Sequence, residues 1–558
     1  MISLPYCLAP FVHSAVSSNG QRQLCCAAKF SAINLKEMPF DLYWNSEYLK
    51  EARLRMLKQQ PPQECKACIE NEYSATQQRL QFQRKFEKDW DQISHHLSQD
   101  GSLSQPPQSL DYRSNNICNL ACRTCNSGQS STIRALEEKV LDKKSDSKEI
   151  NQIISNEYES LIERNKITDL YFANGEPFLS PIFLKTIDKI KKSDFIQEMN
   201  LTVTSNLTIY NDQIEEILKL EKKMASFNLI ISIDGYLEDS ELIREGLNWN
   251  AWNENLDRLL TFFPKNKIQT NITVTLPALK NLPKLVRFLK QRQLSFQFSH
   301  LIEPEPMTSI LRCRGLPKSI INPILTKTRS DLTTDDHEVA ELLNFIEDQT
   351  IIDGLSDEVK LEYLVSFSRQ ICLDRVKKST RFKEMYQNNF PQIINNFIHL
   401  NINSPSLASK EDQIRRLFDF NYYEDFKNLG LTLVVAGQHF RTESTAQKLI
   451  QQLIKTESKE IVIFILETRN SIFSRFLNFK NKQNLSFEKI YFSKIESMMK
   501  QKSYKMDFQR QLLTSQLSYF TKLEIPKFIQ DFIENTLLKF FPRFFSLHAV
   551  TKMEFRRD

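Results

Sequence analysis

Three cysteines lie close together in one stretch of this chain, at Cys118, Cys122 and Cys125. Thiolates spaced in this way on a single loop can converge on one metal site. Cysteine thiolates hold [4Fe-4S] clusters, and a cluster with only three protein ligands keeps one iron open for a small molecule. A zinc knuckle or another structural cysteine site is the alternative that this stretch leaves open. Either way, the fold must hold this loop firmly in place.

The segment from Asn116 to Cys125 resembles the cluster motif of the radical S-adenosylmethionine (radical SAM) enzymes. In that family three cysteines bind a [4Fe-4S] cluster, and the amino and carboxylate groups of SAM bind the open iron. The residue before the third cysteine is usually aromatic in the family, whereas this chain has Thr124. The resemblance implies a [4Fe-4S] cluster with SAM at Cys118, Cys122 and Cys125.

Segments typical of β-strands alternate with amphipathic segments between residues 110 and 299. We expect strands at Leu110–Asn115, Thr168–Ala173, Glu198–Ser205, Phe227–Asp234, Ile268–Leu276 and Ser295–Ser299. This alternation predicts an α/β fold, with a parallel sheet and helices outside it. The resemblance implies a partial (β/α)6 barrel of the TIM-like kind, in which functional groups gather at the carboxyl ends of the strands.

Polar residues follow four of these expected strands, and they resemble the SAM-binding positions of the family. The cysteine loop follows the first strand, and Asn174, Gly175, Glu176 and Pro177 follow the second, where the family has Gly-Gly-Glu-Pro. The resemblance implies that this segment meets the amino group of SAM. It also implies that strand-end residues hold the ribose and carboxylate of SAM, with Arg244 as a partner for the carboxylate: Ser205, Asn206, Ser232 and Asp234.

The first 78 residues hold five further cysteines and show little hydrophobic periodicity. Short segments with a small core are commonly held by a metal or by disulfides. The five are Cys7, Cys25, Cys26, Cys65 and Cys68. The segment is similar to the SPASM/twitch auxiliary-cluster modules of radical SAM proteins, which implies a second [4Fe-4S] cluster held by four of the five. A structural zinc clip is the alternative.

Composition narrows the class of protein. Of the 558 residues, 41% are hydrophobic and 25% are charged, as in soluble globular proteins. No apolar run is long enough to span a bilayer, and the N-terminus lacks a secretion signal, so we expect a cytoplasmic protein. The net charge of +6 is spread along the chain and gives no indication of a nucleic-acid partner. Eight of the ten cysteines lie in the first 125 residues, which favours metal or cluster ligation.

The sequence divides into four regions. We expect a Cys-rich cluster module at 1–78, a helix and linker at 79–108, the barrel at 109–319, and a largely helical region of unknown role at 320–558. In the last region, Leu429–Gly437 and Glu460–Leu466 resemble strands around an amphipathic Thr442–Ile454. The run Glu467–Ser474 is faintly similar to a nucleotide-phosphate motif of sulfotransferases. The tail Pro526–Phe545 has helical spacing and is expected to dock on its own domain.

The resemblance implies an enzyme that cleaves SAM reductively to a 5′-deoxyadenosyl radical, which abstracts hydrogen from a substrate. It also implies an electron donor such as flavodoxin or ferredoxin. The sequence leaves the substrate open among peptides, carrier-bound intermediates and small molecules. Two alternatives remain: a metal-stabilised binding protein without turnover, and a bifunctional protein with a sulfotransferase-like C-terminal half.

Overall fold

The structure is a computed structural model, and it divides the chain into two compact units, Met1–Gly354 and Leu355–Asp558. The residues that it describes are 3–28, 31, 33–70, 78–141, 148–301, 308–351, 355–390, 393, 432–436, 460–467, 504–514 and 547–557.

An eight-stranded sheet forms the centre of the first unit. Its strands are β1 (His13–Val16), β2 (Arg22–Gln23), β3 (Ser109–Tyr112), β5 (Asp169–Phe172), β6 (Asn200–Ser205), β7 (Ser226–Ser232), β9 (Ile268–Val274) and β10 (Ser295–His300). The spatial order is β10-β9-β7-β6-β5-β3-β1-β2, and all neighbours are parallel except the pair β1 and β2. A separate two-stranded ladder pairs β4 (Ala121–Cys122) with β8 (Arg244–Glu245).

Helices connect and cover these strands. In the first unit they are α1 (Ala9–Val12), α2 (Phe40–Tyr43), α3 (Glu47–Leu57), α4 (Lys66–Glu70), α5 (Gln78–Phe86), α6 (Trp90–His95), α7 (Ser131–Leu141), α8 (Lys148–Arg164), α9 (Pro181–Lys191), α10 (Asp212–Leu218), α11 (Glu238–Ile243), α12 (Trp249–Leu260), α13 (Leu282–Gln291), α14 (Lys318–Ser330) and α15 (His337–Asp348). Side-chain caps fix where several begin: Asn211 accepts from the Ile214 amide at 3.0 Å, and Asn248 from that of Ala251 at 2.9 Å.

The two faces of the sheet differ. Along β6, β7 and β9 buried side chains, mostly apolar, alternate with half-buried side chains, all of them polar except Ile230. In β9, for example, Ile268 and Ile272 are buried while Gln269 and Asn271 are half-buried. Parallel sheets covered on both faces carry near-continuous apolar runs instead. One face therefore packs into the apolar core, and the other presents polar groups.

The six expected strands all occur, each within a few residues of its predicted bounds. The N-terminal segment differs from expectation, because β1 and β2 extend the same sheet beyond β3. Arg22 of β2 is fully buried and donates to both carboxylate oxygens of Glu157 at 2.7 and 2.8 Å. It also donates to the Tyr112 hydroxyl at 3.1 Å. The cysteine-rich segment is thus tied into the core of the first unit. The single helix expected after residue 79 occurs as two, α5 and α6.

The second unit begins with two helices, α16 (Asp357–Val376) and α17 (Arg381–Asn389). Four strands then form a sheet in the order β11-β12-β14-β13: β11 (Thr432–Ala436), β12 (Glu460–Glu467), β13 (Tyr504–Thr514) and β14 (Leu547–Arg557). The two strands expected at 429–437 and 460–466 are found, whereas the long antiparallel pair β13 and β14 was not predicted. The expected helices at 442–454 and 526–545 lie outside the described residues, as does 468–474.

No helix among the described residues is both long and apolar enough to cross a bilayer.

Candidate metal centre

The three cysteines that follow β3 lie at the carboxyl edge of the parallel sheet. Cys122 is buried, and Cys118 and Cys125 are half-buried. The loop is held at both ends by backbone groups. The Cys118 carbonyl accepts from the Thr132 hydroxyl at 2.7 Å, and the Cys125 amide donates to the Cys122 carbonyl at 3.0 Å. The thiols are therefore presented by a loop whose path is fixed before any ligand binds.

The ladder of β4 and β8 fixes the middle of this loop. Cys122 lies directly opposite Arg244. The buried Arg123 reinforces the ladder, because its Nε donates to the Leu242 carbonyl at 2.8 Å and its Nη2 lies 3.1 Å from a Glu245 carboxylate oxygen. Arg123 and Glu245 were not identified from the sequence. The one signal for Arg123 was its position inside the cysteine motif, but the spacing of the motif does not show whether such an arginine is buried or exposed to solvent.

N–H groups contact the sulfur atoms of Cys118 and Cys122. The Leu120 amide lies 3.5 Å from the Cys118 sulfur, and Asn206 Nδ2 lies 3.9 Å from it. Arg244 Nη1 lies 3.8 Å from the Cys122 sulfur. Hydrogen bonds to cluster sulfurs are one of the means by which proteins tune iron-sulfur centres. These donors suit sulfurs that carry negative charge.

The cysteine pKa values show how close the thiols lie. Burial raises the pKa of Cys118 to about 11, and the neighbouring Cys122 adds to the rise. A hydrogen bond from the Cys122 thiol to Cys125 raises the pKa of Cys122 and lowers that of Cys125. The Cys122 thiol thus donates to the Cys125 sulfur, and a bound metal would have to displace that proton.

Among the described residues, no group of three or more His, Cys, Asp and Glu side chains could hold a single metal ion. In a [4Fe-4S] cluster the protein thiolates bind separate iron atoms, so they do not have to meet at one point. The donor set fits such a cluster, because it consists of three thiols on one anchored loop with N–H groups at two sulfurs.

The segment after β5 crosses directly over the start of the cysteine loop. Gly175 has a φ of +61°, and a Cβ there would lie 2.3 Å from the Ile117 carbonyl oxygen. The next amide, of Glu176, donates to that same oxygen at 2.7 Å. Only glycine permits this crossing. Glycine is therefore required here for a physical reason, which is contact with the cysteine loop.

Asn174 occupies the position at which the family has its first glycine, and the oxygen of its side-chain amide accepts no hydrogen bond. Its Nδ2 donates to the Asn115 carbonyl, while its Oδ1 is buried without a hydrogen-bond partner. Buried polar atoms are rarely left unpaired in native proteins. An ammonium donor at this edge would satisfy the oxygen, so the segment fits the amino group of SAM. Pro177, which follows, starts a short 3-10 helix.

Glu176 joins the ends of β5 and β6. It is buried, and its two carboxylate oxygens accept from the Ser205 hydroxyl at 2.9 Å and the Asn206 amide at 2.8 Å. Burial raises its pKa to about 7, and these hydrogen bonds oppose that rise. The structure thus brings together three residues that were predicted to bind SAM. Their contact with SAM stays a prediction.

Two more predicted residues meet at the end of β7. Asp234 Oδ1 accepts from the Thr273 amide at 2.9 Å, and its Oδ2 lies 3.0 Å from Arg244 Nε. Both side chains are buried, and the contact is an ion pair rather than a directed hydrogen bond, since neither of these two atoms has a hydrogen-bond partner. Ser232, also buried, ends the same strand. The polar strand ends therefore converge on the cysteine loop.

The N-terminal cysteines form a second neighbourhood, in which the thiols lie close enough to influence one another. Burial raises the pKa of both Cys7 and Cys65 to about 12, with Cys68 adding to each rise. Burial also raises the pKa of Cys25, and Cys26, Cys7 and Cys65 add to that rise. Burial raises the pKa of Cys26 to about 12 as well, with Asp111 on β3 and Cys68 adding to the rise.

The comparisons with known proteins agree with these groupings. Residues 7–69 match the family model SPASM, described as an iron-sulfur cluster-binding domain. That range contains all five N-terminal cysteines. A search of curated proteins found no match.

Solved structures also show similarity. "Native anSMEcpe with bound AdoMet" is 15% identical, covering 46% of this chain and 58% of that chain with a TM-score of 0.26. Streptococcus suis SuiB bound to S-adenosylmethionine is 11% identical, covering 51% and 58% with a TM-score of 0.27. TYW1 with a lysine-pyruvate adduct bound is 14% identical, covering 43% and 74% with a TM-score of 0.22. The chain thus spans 58% of the length of the first of these structures. The chain therefore carries a SPASM-type iron-sulfur cluster-binding domain at residues 7–69, and its parallel sheet carries the three-cysteine loop.

Proposed function

We propose that the protein is a radical SAM enzyme, which cleaves SAM reductively and abstracts hydrogen from a substrate. The observation that carries the proposal is the convergence of the cysteine loop with the ends of three further strands. Residues 174–177, Ser205, Asn206, Ser232 and Asp234 all lie at the edge that holds the three thiols. Functional groups at the carboxyl ends of parallel strands are typical of such enzymes.

Each group has a role in this proposal. Cys118, Cys122 and Cys125 hold a [4Fe-4S] cluster, which supplies one electron to the sulfonium of SAM when both are bound. Asn174 Oδ1 and the Glu176 segment accept from the ammonium of SAM. Ser205, Asn206 and Ser232 hydrogen-bond the rest of the cofactor, and Arg244, paired with Asp234, lies near its carboxylate. The buried position of these residues excludes water from the reacting groups.

The six strands β3, β5, β6, β7, β9 and β10 would form the partial (β/α)6 barrel, within the proposed domain 109–319. The proposed 1–78 module holds a second [4Fe-4S] cluster. Its ligands are four of the five thiols Cys7, Cys25, Cys26, Cys65 and Cys68, since charge on neighbouring thiols raises the pKa values of Cys7, Cys25, Cys26 and Cys65. We propose a cytoplasmic protein with flavodoxin or ferredoxin as electron donor. The substrate, a peptide or a carrier-bound molecule, stays unidentified, and no nucleic acid partner is proposed.

Calorimetry with SAM tests the site on anaerobically reconstituted protein. Glu176→Gln should leave the iron content unchanged and weaken SAM binding by about 1.5–3 kcal/mol, the range for hydrogen bonds to charged groups. The matched control is Glu198→Gln, which changes an exposed carboxylate that pairs with Lys166. Formation of 5′-deoxyadenosine after chemical reduction tests turnover. A protein that holds its clusters but neither binds nor cleaves SAM would be the non-catalytic binding protein instead.

A further inference from the structure

Arg244 lies closer to a cluster ligand than its expected role at the SAM carboxylate requires. In the ladder of β4 and β8 it is directly opposite Cys122. Side chains of directly opposed residues in an antiparallel pair lie on the same face, close enough to interact. Arg244 Nη1 accordingly lies 3.8 Å from the Cys122 sulfur. The guanidinium is therefore placed against the cluster ligand by the backbone itself.

Asp234 holds this guanidinium from the other side. Its Oδ2 is 3.0 Å from Arg244 Nε, and its side chain is fully buried, while that of Arg244 is 10% exposed. Asp234 is itself fixed, because its Oδ1 accepts from the Thr273 amide at 2.9 Å. A cation and an anion are thus lined up behind Cys122, with the cation nearer to the sulfur. Both charges are removed from water, so solvent screens their effect on the sulfur only weakly.

We propose that the Arg244–Asp234 pair sets the reduction potential of the cluster held by Cys118, Cys122 and Cys125. The inference rests on the proposed function, because it requires the cluster to be present. Potentials of iron-sulfur clusters depend on hydrogen bonds to the sulfurs and on local charge. Reduction adds one electron, supplied by the external donor, and one unit of negative charge. The guanidinium favours that charge and raises the potential, while Asp234 opposes it and orients the guanidinium.

The two partners therefore have effects of opposite sign, which no purely structural role would give. Arg244→Gln removes the cation and should lower the midpoint potential. Asp234→Asn removes the anion and should raise it. Arg244→Lys keeps the charge and should stay near the wild-type value. The control is Arg258→Gln, which removes an exposed arginine that pairs with Asp212 and Glu215 on the surface.

The measurement is a redox titration without SAM, followed by EPR, on reconstituted full-length protein with iron counted in each variant. The relevant signal is the one that changes when SAM is added afterwards. At the wild-type midpoint, the ratio of reduced to oxidised cluster should fall about tenfold in Arg244→Gln and rise in Asp234→Asn. A tenfold change corresponds to about 59 mV for a one-electron couple.

Several outcomes would overturn the inference. Equal midpoints in wild type, Arg244→Gln and Asp234→Asn, at unchanged iron content, would do so. An unchanged midpoint with weakened SAM binding in Arg244→Gln would make Arg244 a SAM ligand only. If Arg244→Gln does not assemble the cluster, Asp234→Asn decides by the direction of its shift, and no rise overturns the inference. Wild-type protein that assembles no SAM-responsive cluster would instead defeat the proposed function itself.

Discussion

The two groups of cysteines in the first unit differ in what surrounds their sulfur atoms. At the loop after β3, N–H groups of Leu120, Asn206 and Arg244 contact the sulfurs of Cys118 and Cys122. In the N-terminal group, burial and neighbouring thiols raise the pKa values of Cys7, Cys25 and Cys65, and hydrogen bonds from the Ala9 and Ala27 amides oppose the rise at Cys7 and Cys25. The loop therefore sets a buried guanidinium against one of its sulfurs, whereas in the second group a bound metal would supply the compensating charge.

This difference has a consequence for stability. A site whose ligands are held by the fold can lose its metal and keep its geometry. Where the metal itself compensates buried thiolates, the free energy of metal binding becomes free energy of folding. The N-terminal cysteines lie in or next to short elements, such as the two-residue strand β2 and the five-residue helix α4. We therefore expect loss of metal to affect the N-terminal group more than the loop.

The strongest test of the difference between the two cysteine groups is to remove the loop thiols. The triple change of Cys118, Cys122 and Cys125 to alanine should remove about four irons and all SAM-dependent change in the EPR signal, because the cube loses every protein ligand. The matched control is Cys313→Ala, a buried thiol whose pKa is raised by burial alone. Iron content equal to wild type in the triple variant would refute the assignment of the loop.

The second prediction concerns the N-terminal group. The double change Cys65→Ala and Cys68→Ala should reduce the iron content from about eight to about four per chain and leave SAM binding intact. Deletion of residues 1–78 would be a poorer test, since β1 and β2 belong to the main sheet. Finding about four irons and one zinc in the wild type would establish a structural zinc clip and end the proposed second cluster.

Much of the sheet could be predicted, because its strands alternate apolar and polar residues between recognisable helices. The N-terminal extension could not. The run His13–Val16 has only four residues without such alternation, and β2 has two. These strands are stabilised by contacts with residues distant in sequence, such as the ion pair of the buried Arg22 with Glu157. Local periodicity carries no information on contacts of that kind.

The candidate site also has parts that could be predicted from the sequence and parts that could not. Spacing pointed to the thiols and the family resemblance to the polar strand ends, but the pairing of Cys122 with Arg244 depends on a ladder of two residues per strand. In the second unit, β13 and β14 carried a usable signal that was missed. Tyr504, Met506 and Phe508 alternate with charged residues, as do Thr551, Met553 and Phe555. This is the period of a strand with one polar face.

A pair of glycine substitutions tests how firmly the loop is held. Gly175→Ala places a Cβ 2.3 Å from the Ile117 carbonyl oxygen at a φ of +61°. Backbone strain and overpacking together should cost about 3–5 kcal/mol of stability. Gly315→Ala has a φ of +71° with no atom within 4 Å, so strain alone should cost about 1 kcal/mol. Urea unfolding measures both. Equal losses of stability would mean that the cysteine loop shifts easily to make room for the added Cβ.

The N-terminal region should also respond to acid through His13, at the end of the sheet opposite the cysteine loop. Burial lowers the pKa of His13 to about 4, and its Nδ1 lies 2.8 Å from the Ser109 hydroxyl oxygen. The Ser109 hydroxyl donates to Asp169 at 3.0 Å, so its oxygen accepts from a neutral His13 that carries its proton on Nδ1. Protonation of the other ring nitrogen would place an uncompensated charge in the core.

The sign of the pH dependence follows from these values. Between pH 6.5 and about 4 the unfolded chain binds a proton at His13 that the native state does not, so stability falls as the pH falls. The full effect is about 3 kcal/mol, of which about 1.4 kcal/mol is lost by pH 5.5. His13→Asn should be less stable at pH 7 but lack this loss, as measured by urea unfolding at pH 7 and 5.5. Glu176 acts in the opposite direction, because its raised pKa of about 7 makes the native state bind the extra proton as the pH falls. Glu176 contributes equally in both proteins, so a His13→Asn variant whose stability changes between pH 7 and 5.5 by the same amount as that of the wild type would show that His13 has no such effect.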